Sequence, residues 1–172
     1  DESILDVTAS QNLFGPAETI AEAILKMVKE ELGLIVTAGI GDNPLLAKLA
    51  LDNEAKKQPP WIAKWTYEMV PQTGWKIQPL TAFWGISRGY DKKLKRMGIY
   101  TIEALAHANP MRLQKTLGVM GLQLYYHAWG LDASILSQKV RPKSKSYSKN
   151  QILMRDYYEK AEILIVIKEM VG

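Results

Sequence analysis

Residues 34–57 read LIVTAGIGDNPLLAKLALDNEAKK, and the reading of this stretch decides the fold. Leu34 to Ile40 is a short apolar run rich in β-branched residues, bounded by Gly33 and Gly41, which predicts a strand buried on both faces. Asp42-Asn43-Pro44 then supplies a cap and a proline at the first helical position, opening a helix that Lys56, Lys57 and Pro59-Pro60 close. Upstream, Ile20, Ile24, Val28 and Leu32 recur every four positions, with Glu18 in the first turn and Gly33 just after the last repeat, so Ala17 to Leu32 is expected to be a helix. Ahead of it, Ser3 to Thr8 reads as an apolar strand opened by the acids Asp1 and Glu2. Downstream, Trp61 to Val70 alternates loosely and reads as one more strand, stopped by Pro71-Gln72-Thr73-Gly74. Strand, helix, strand, helix argues for an α/β layer.

The pattern changes after residue 70. Between Ile77 and Trp129 short helical periods are separated by Gly85, Gly89, Gly98, Gly118 and Gly121, and Asn109-Pro110 marks another helix start. This predicts a compact all-helical module, so the chain as a whole is of the α+β class. Leu136 to Ser148 is polar and basic without apolar periodicity, as a linker would be. Ile163 to Ile167 suits a strand by propensity, while the flanking Glu159, Lys160, Lys168 and Glu169 suit a helix.

Of the 172 residues 47% are hydrophobic and 23% charged, enough for one or two small domains with real cores. The chain has no cysteine and only two histidines, His107 and His127, which excludes disulfides, zinc knuckles and thiol chemistry. Any metal must be held by oxygen. No apolar run approaches the roughly 18 to 20 residues of a membrane helix and no signal pattern opens the chain, so a cytoplasmic protein is expected, with no membrane partner. The first residue is Asp1 rather than Met, and the chain is read as a piece of something longer.

The net charge of +4 is a weak lean toward polyanions, but its distribution is uneven. Arg88, Lys92, Lys93, Lys95 and Arg96 crowd one segment, and Lys139, Arg141, Lys143, Lys145, Lys149 and Arg155 follow one another with no acid among them. Two glycine turns, Phe83-Trp84-Gly85-Ile86-Ser87 and Leu117-Gly118-Val119-Met120-Gly121, resemble the helix-hairpin-helix motif, whose backbone amides at a helix N-terminus favour a phosphate oxygen. A single such turn is equally a plain helix cap. Asp1-Glu2 is an acid pair of the kind that suits Mg²⁺, which takes one or two carboxylates and fills its other positions with water and phosphates, although adjacent acids at a strand start are commonly just solvated. Trp84, Trp129, Tyr125 and Tyr126 fall at helical spacing among apolar residues and are expected in the core rather than as base-stacking platforms.

In order, DE-x-x-x-LDVT, VTAGIGDNPLLAKLALDNEAKK, PLTAFWGISRGYDKKLKRMGIYTIEALA and LGVMGLQLYYHAWG resemble the palm and thumb of the Y-family (UmuC/DinB-like) translesion DNA polymerases, and within them the UvrX-type branch. The resemblance implies a partial palm over 1–70, a mixed sheet with helices on one face, then a helix-hairpin-helix thumb over 71–138, then over 139–172 a linker and the start of a little-finger domain. It implies that Asp1 and Glu2 are catalytic and hold two Mg²⁺ ions, and that Lys48 touches the incoming dNTP triphosphate. An ion pair with Asp52, four residues on, is the plain alternative for Lys48. DNA contacts would come from Gly85, Ile86, Ser87, Lys92, Lys93, Gly118, Val119, Gly121, Lys143 and Lys145. The implied partners are primer-template DNA, dNTP and, through a C-terminal tail, a sliding clamp. The family's third carboxylate and its fingers lie upstream of Asp1 and most of the little finger lies downstream, so this piece alone is expected not to polymerise efficiently. A non-catalytic helix-hairpin-helix DNA-binding module of a repair complex is the competing reading.

Overall fold

The computed structural model describes residues 2–138, 144 and 146–171. Two compact units emerge, Asp1–Leu136 and Ser137–Gly172.

In the first unit a short helix α1 (Gln11–Phe14) leads into α2 (Ala17–Leu32), which ends on Gly33 in the left-handed conformation. Strand β1 (Ala38–Gly41) runs parallel to β2 (Ile62–Trp65), with Ala38 opposite Ile62 and Gly41 opposite Trp65. Between them lies α3 (Pro44–Ala50), continued by a single π-helical turn over Leu51–Ala55. Helix α3 lies directly on β1 because β1 carries glycine where the two meet. A Cβ on Gly39 would sit 2.0 Å from the Ala47 carbonyl oxygen, and one on Gly41 would sit 2.3 Å from the Ala47 nitrogen. Leu45, Leu49 and Ala50 on the underside of α3 join Ala63 and Trp65 of β2 in the core.

The strands are shorter than their sequence predicts. Leu34 to Thr37 stay outside the ladder, and Leu34 and Ile35 are exposed, because the register with β2 begins only at Ala38. The strand expected through Val70 ends at Trp65, where Asp42 Oδ2 takes the Tyr67 N–H at 2.9 Å and the chain turns into a 3₁₀ turn, Tyr67–Met69. Ser3 to Val7, expected as a strand, is irregular, with Ile4 and Leu5 exposed. An extended segment needs a neighbour for its amides and carbonyls, and among the described residues this one has none. The sheet is accordingly a parallel pair rather than a mixed sheet.

The helical part comprises α4 (Arg88–Arg96), α5 (Ile102–Ala106), α6 (Pro110–Leu117) and α7 (Val119–Ala128). Ser87, Thr101 and Asn109 cap the first three through their side-chain oxygens. One hydrophobic core runs without a break from Leu45 and Trp65 through Phe83, Leu94 and Leu105 to Leu124 and Ala128. Trp75 donates to the Ala128 carbonyl at 2.8 Å and Trp129 to that of Ala106 at 2.8 Å, while Trp75, His107 and Trp129 meet edge to face with centroids 5.1–5.2 Å apart. The aromatic expectation needs correcting at Trp84, which is 48% exposed, at Tyr126, 46% exposed, and at Trp129, 37% exposed. Trp84 precedes the Gly85 turn, which carries it out of the core to lie stacked, at 6.2 Å, over the buried His127.

In the second unit the open choice at Ile163 to Ile167 resolves to helix, within α8 (Lys160–Val171). Arg155 pairs with Glu162 at 2.6 Å and lies over the Tyr157 ring. No helix among the described residues is long and apolar enough to cross a membrane.

Candidate functional site

Asn43 organises the approach to the site. Its side-chain oxygen accepts from Leu46 N at 2.8 Å, capping α3, while its amide donates to the Gly130 carbonyl at 2.7 Å and to the Tyr67 hydroxyl at 3.1 Å. The cap thus fixes where α3 starts and ties that start to the end of α7. From there Leu45, Leu46, Leu49 and Ala50 face inward, and helical periodicity leaves Lys48 on the outer side. Four residues on, in the π turn, comes Asp52, and four further Lys56.

Glu2 meets these side chains from across the chain. The Lys48 ammonium lies 2.7 Å from Glu2 Oε2 and 3.0 Å from Asp52 Oδ2, and the Lys56 ammonium 3.1 Å from Glu2 Oε1 and 2.7 Å from Asp52 Oδ1. Two carboxylates and two ammoniums therefore alternate in one cluster. Hydrogen bonds from Lys48 and then Lys56 hold the Glu2 carboxyl below its usual range. Partial burial pushes the Asp52 carboxyl up, but bonds from Lys56 and Lys48 outweigh it and leave it lowered. Burial likewise works against the Lys48 ammonium, and Glu2 and Asp52 more than compensate, so its pKa is raised. All four groups are charged at neutral pH.

Lys48 therefore makes the Asp52 pair that its spacing allowed, together with a contact to Glu2 that no spacing rule could have found. Asp1 lies outside the described residues, as do Lys143 and Lys145. Among the described residues no three His, Cys, Asp or Glu side chains converge as a metal cage would. Glu2 nonetheless offers ionised hard-oxygen donors of the sort a Mg²⁺ ion accepts in ones and twos. Lys56 was missed in the sequence; the spacing of 48, 52 and 56 was the available signal.

The described candidate DNA residues fall in two places, the turn into α4 and the joint between α6 and α7. Gly85 has φ +94 and leads through the buried Ile86 to Ser87, which caps α4 by accepting from Tyr90 N at 3.4 Å. Lys92 and Lys93 are exposed on α4, whereas Lys95 is paired with Asp91 at 2.8 Å. Helices α6 and α7 pack together across a one-residue joint, Gly118, with exposed Val119 beside it. Gly121 departs from expectation: it is buried, its N–H donates to the Gly118 carbonyl at 3.0 Å, and a Cβ there would meet the Leu113 carbonyl oxygen at 2.4 Å. Its lack of a side chain lets α7 pack closely on α6.

A model of the impB/mucB/samB family matches residues 1–52. Among curated proteins, a Bacillus subtilis (strain 168) protein named for UV-damage repair, UvrX, is 45% identical over 170 residues, 99% of this chain and 40% of its own length. DNA polymerase IV 2 of Halalkalibacterium halodurans is 33% identical over 170 residues, 99% of this chain and 41% of its own. The chain thus spans about two fifths of the length of either relative. A solved structure described as a Dbh ternary complex superposes with a TM-score of 0.58 at 25% identity, over 73% of this chain and 37% of that one. The DNA repair protein homolog YobH of Bacillus subtilis (strain 168) is 46% identical over 151 residues, which is 88% of this chain and 70% of YobH. A match so long and so close on both sides is kinship, and the chain belongs to the impB/mucB/samB family, that of the Y-family, UmuC-like DNA polymerases.

Proposed function

We propose that the protein carrying this chain is a template-directed DNA polymerase of the lesion-bypass type, which joins a dNTP to a primer 3′-hydroxyl. The observation that carries this reading is the Glu2–Lys48 contact, 2.7 Å long between residues 46 positions apart. It sets an acid suited to a divalent cation beside a cation suited to phosphate, the two charges that phosphoryl transfer from a triphosphate needs near each other. Relatives named DNA polymerase IV match over nearly the whole chain and support the same conclusion.

In this reading Glu2, with Asp1, would hold Mg²⁺, which when bound supplies neutralisation of phosphate charge and acidification of the 3′-hydroxyl. Lys48 binds an oxygen of the triphosphate as a point donor, on the outer side of α3 opposite its inward-facing leucines. Asp52 keeps the Lys48 ammonium oriented by a bond at 3.0 Å. Residues 71–138 act as the thumb, with a helix-hairpin-helix at Gly118 and a basic edge at Lys92 and Lys93 that track the DNA backbone without reading sequence.

Primer extension by the parent protein tests the proposal. Glu2→Gln, nearly isosteric with the native acid, should lower kcat by at least about a hundredfold, the scale on which one electrostatic stabiliser of a transition state acts. Asp1→Asn should do the same. Duplex binding should change little in either variant. Extension rates equal to wild type in both would leave a DNA-binding module with idle acids.

A further inference from the structure

The reading above leaves Lys56 without a task, although its ammonium shares both carboxylates of the cluster with Lys48. Lys56 reaches Asp52 Oδ1 at 2.7 Å and Glu2 Oε1 at 3.1 Å, and Lys48 reaches the same two oxygens at 3.2 and 2.8 Å. The two nitrogens therefore flank common acceptors and sit side by side. Their approach has a covalent origin. Lys48, Asp52 and Lys56 are spaced by four, and the π turn Leu51–Ala55 carries the helical path on through Asp52 to the Lys56 amide, which donates to the Leu51 carbonyl at 3.0 Å. A π turn inserted in a helix is a recurrent device at functional sites.

The charges of the cluster bear on what the pair can hold. With Glu2 and Asp52 both facing the two lysines, the cluster is neutral. A divalent cation drawing on Glu2 leaves Asp52 as the one carboxylate for two ammoniums, and the surplus positive charge then faces open solvent, since the Lys56 side chain is 44% exposed and that of Lys48 20%. An anion with several oxygens spaced along a chain is the ligand that such a pair fits: one ammonium for each of two phosphates, each contact charge-assisted. Lys57, the next residue, is also exposed but joins no such cluster among the described residues, which makes it an internal control for charge without placement.

We propose that Lys56 is a second phosphate-binding cation, held next to Lys48 by Asp52, so that the polyphosphate of the incoming nucleotide is gripped at two points rather than one. This rests on the reading of Lys48 as the triphosphate residue, and the experiment separates the two. Inorganic tripolyphosphate is titrated by calorimetry, with Mg²⁺ present, into the full chain and into its Lys48→Gln, Lys56→Gln, Lys56→Arg and Lys57→Gln variants, each checked for an unchanged thermal midpoint. Lys56→Gln should raise Kd about fivefold to tenfold, as expected of a charge-assisted contact at a half-exposed position. Lys48→Gln should raise it by at least as much, Lys57→Gln by less than about twofold, the share of a solvent-screened charge outside the cluster, and Lys56→Arg should restore most of the affinity. A Lys56→Gln curve that overlays Lys57→Gln, with Lys48→Gln still weakened, overturns the second cation and leaves the first in place. Curves for Lys48→Gln and Lys56→Gln that both overlay Lys57→Gln, or no heat of binding in the native chain, overturn the triphosphate site itself.

Discussion

At the residue scale, two kinds of charge management coexist in this chain. The cluster of Glu2, Asp52, Lys48 and Lys56 satisfies its charges against one another at the surface, whereas His127 is 4% exposed and its Nδ1 has no hydrogen-bond partner among the described residues. Burial lowers the His127 pKa from the ordinary 6.5, and the more distant Asp132 opposes this only weakly. The sign for stability follows. An unfolded chain binds a proton at His127 near pH 6.5 and the folded chain binds it only at lower pH, so acid favours unfolding. The contribution is complete above pH 6.5 and is lost as pH falls below it. Thermal unfolding between pH 8 and 5.5 should therefore show a falling midpoint, and His127→Phe, which keeps the stack with Trp84, should flatten that fall. An identical pH profile in the variant would put the sensitivity elsewhere. Nothing in the local sequence marks His127 as the buried histidine and His107 as the exposed one, because that difference arises where α7 meets the turn at Gly85.

At the scale of elements, glycine does two jobs that predict different outcomes. Gly39 in β1 exists so that α3 can touch the strand backbone, and an added Cβ would strike main-chain atoms that have no flexible way to retreat. Gly39→Ala should cost about 2–3 kcal/mol or more by denaturant titration, at the upper end of overpacking penalties. Gly118 has open space around it but φ 70 and ψ −154, a region that only glycine occupies freely. Gly118→Ala should cost about 1–3 kcal/mol through backbone strain alone. A Gly39→Ala variant as stable as the native chain would mean that α3 does not rest on β1 as observed. The α2 helix, the Asn43 cap and the Pro44 start were all legible beforehand, since each is set by contacts within one turn. Strand ends were not: β1 and β2 stop where their mutual register stops, and the Tyr67 amide is diverted to Asp42 from 25 residues away.

At the scale of the molecule, the first unit joins a small parallel sheet to a helical module through one continuous core, with Asn43 bonded to Gly130 as a polar tie between them. The exposed lysines of α4 lie on the helical side of that unit, and Lys95 is already committed to Asp91. Duplex binding by the protein should be independent of sequence and should weaken with salt, log affinity falling by about 0.9 per phosphate neutralised for each unit of log salt. Replacing Lys92, Lys93 and Arg96 by Gln should flatten that slope by up to about 3, and replacing Lys95 should change it least. Equal slopes before and after would reduce the cluster to solvated surface.

The α+β class, the starts of α2, α3 and α6 and the kinship with Y-family polymerases were legible in the sequence. These are consequences of composition, of spacing within a few residues, and of motif order. The contacts of Glu2 with Lys48 and Lys56, the packing of Gly121 against α6 and the half-exposure of Trp84 were set only by the folded chain. The contacts of Glu2 and Trp84 depend on which surfaces meet after the chain has closed loops of tens of residues, about which the period of a helix or the pleat of a strand carries no information, and that of Gly121 on how α7 folds back on α6 across the Gly118 joint.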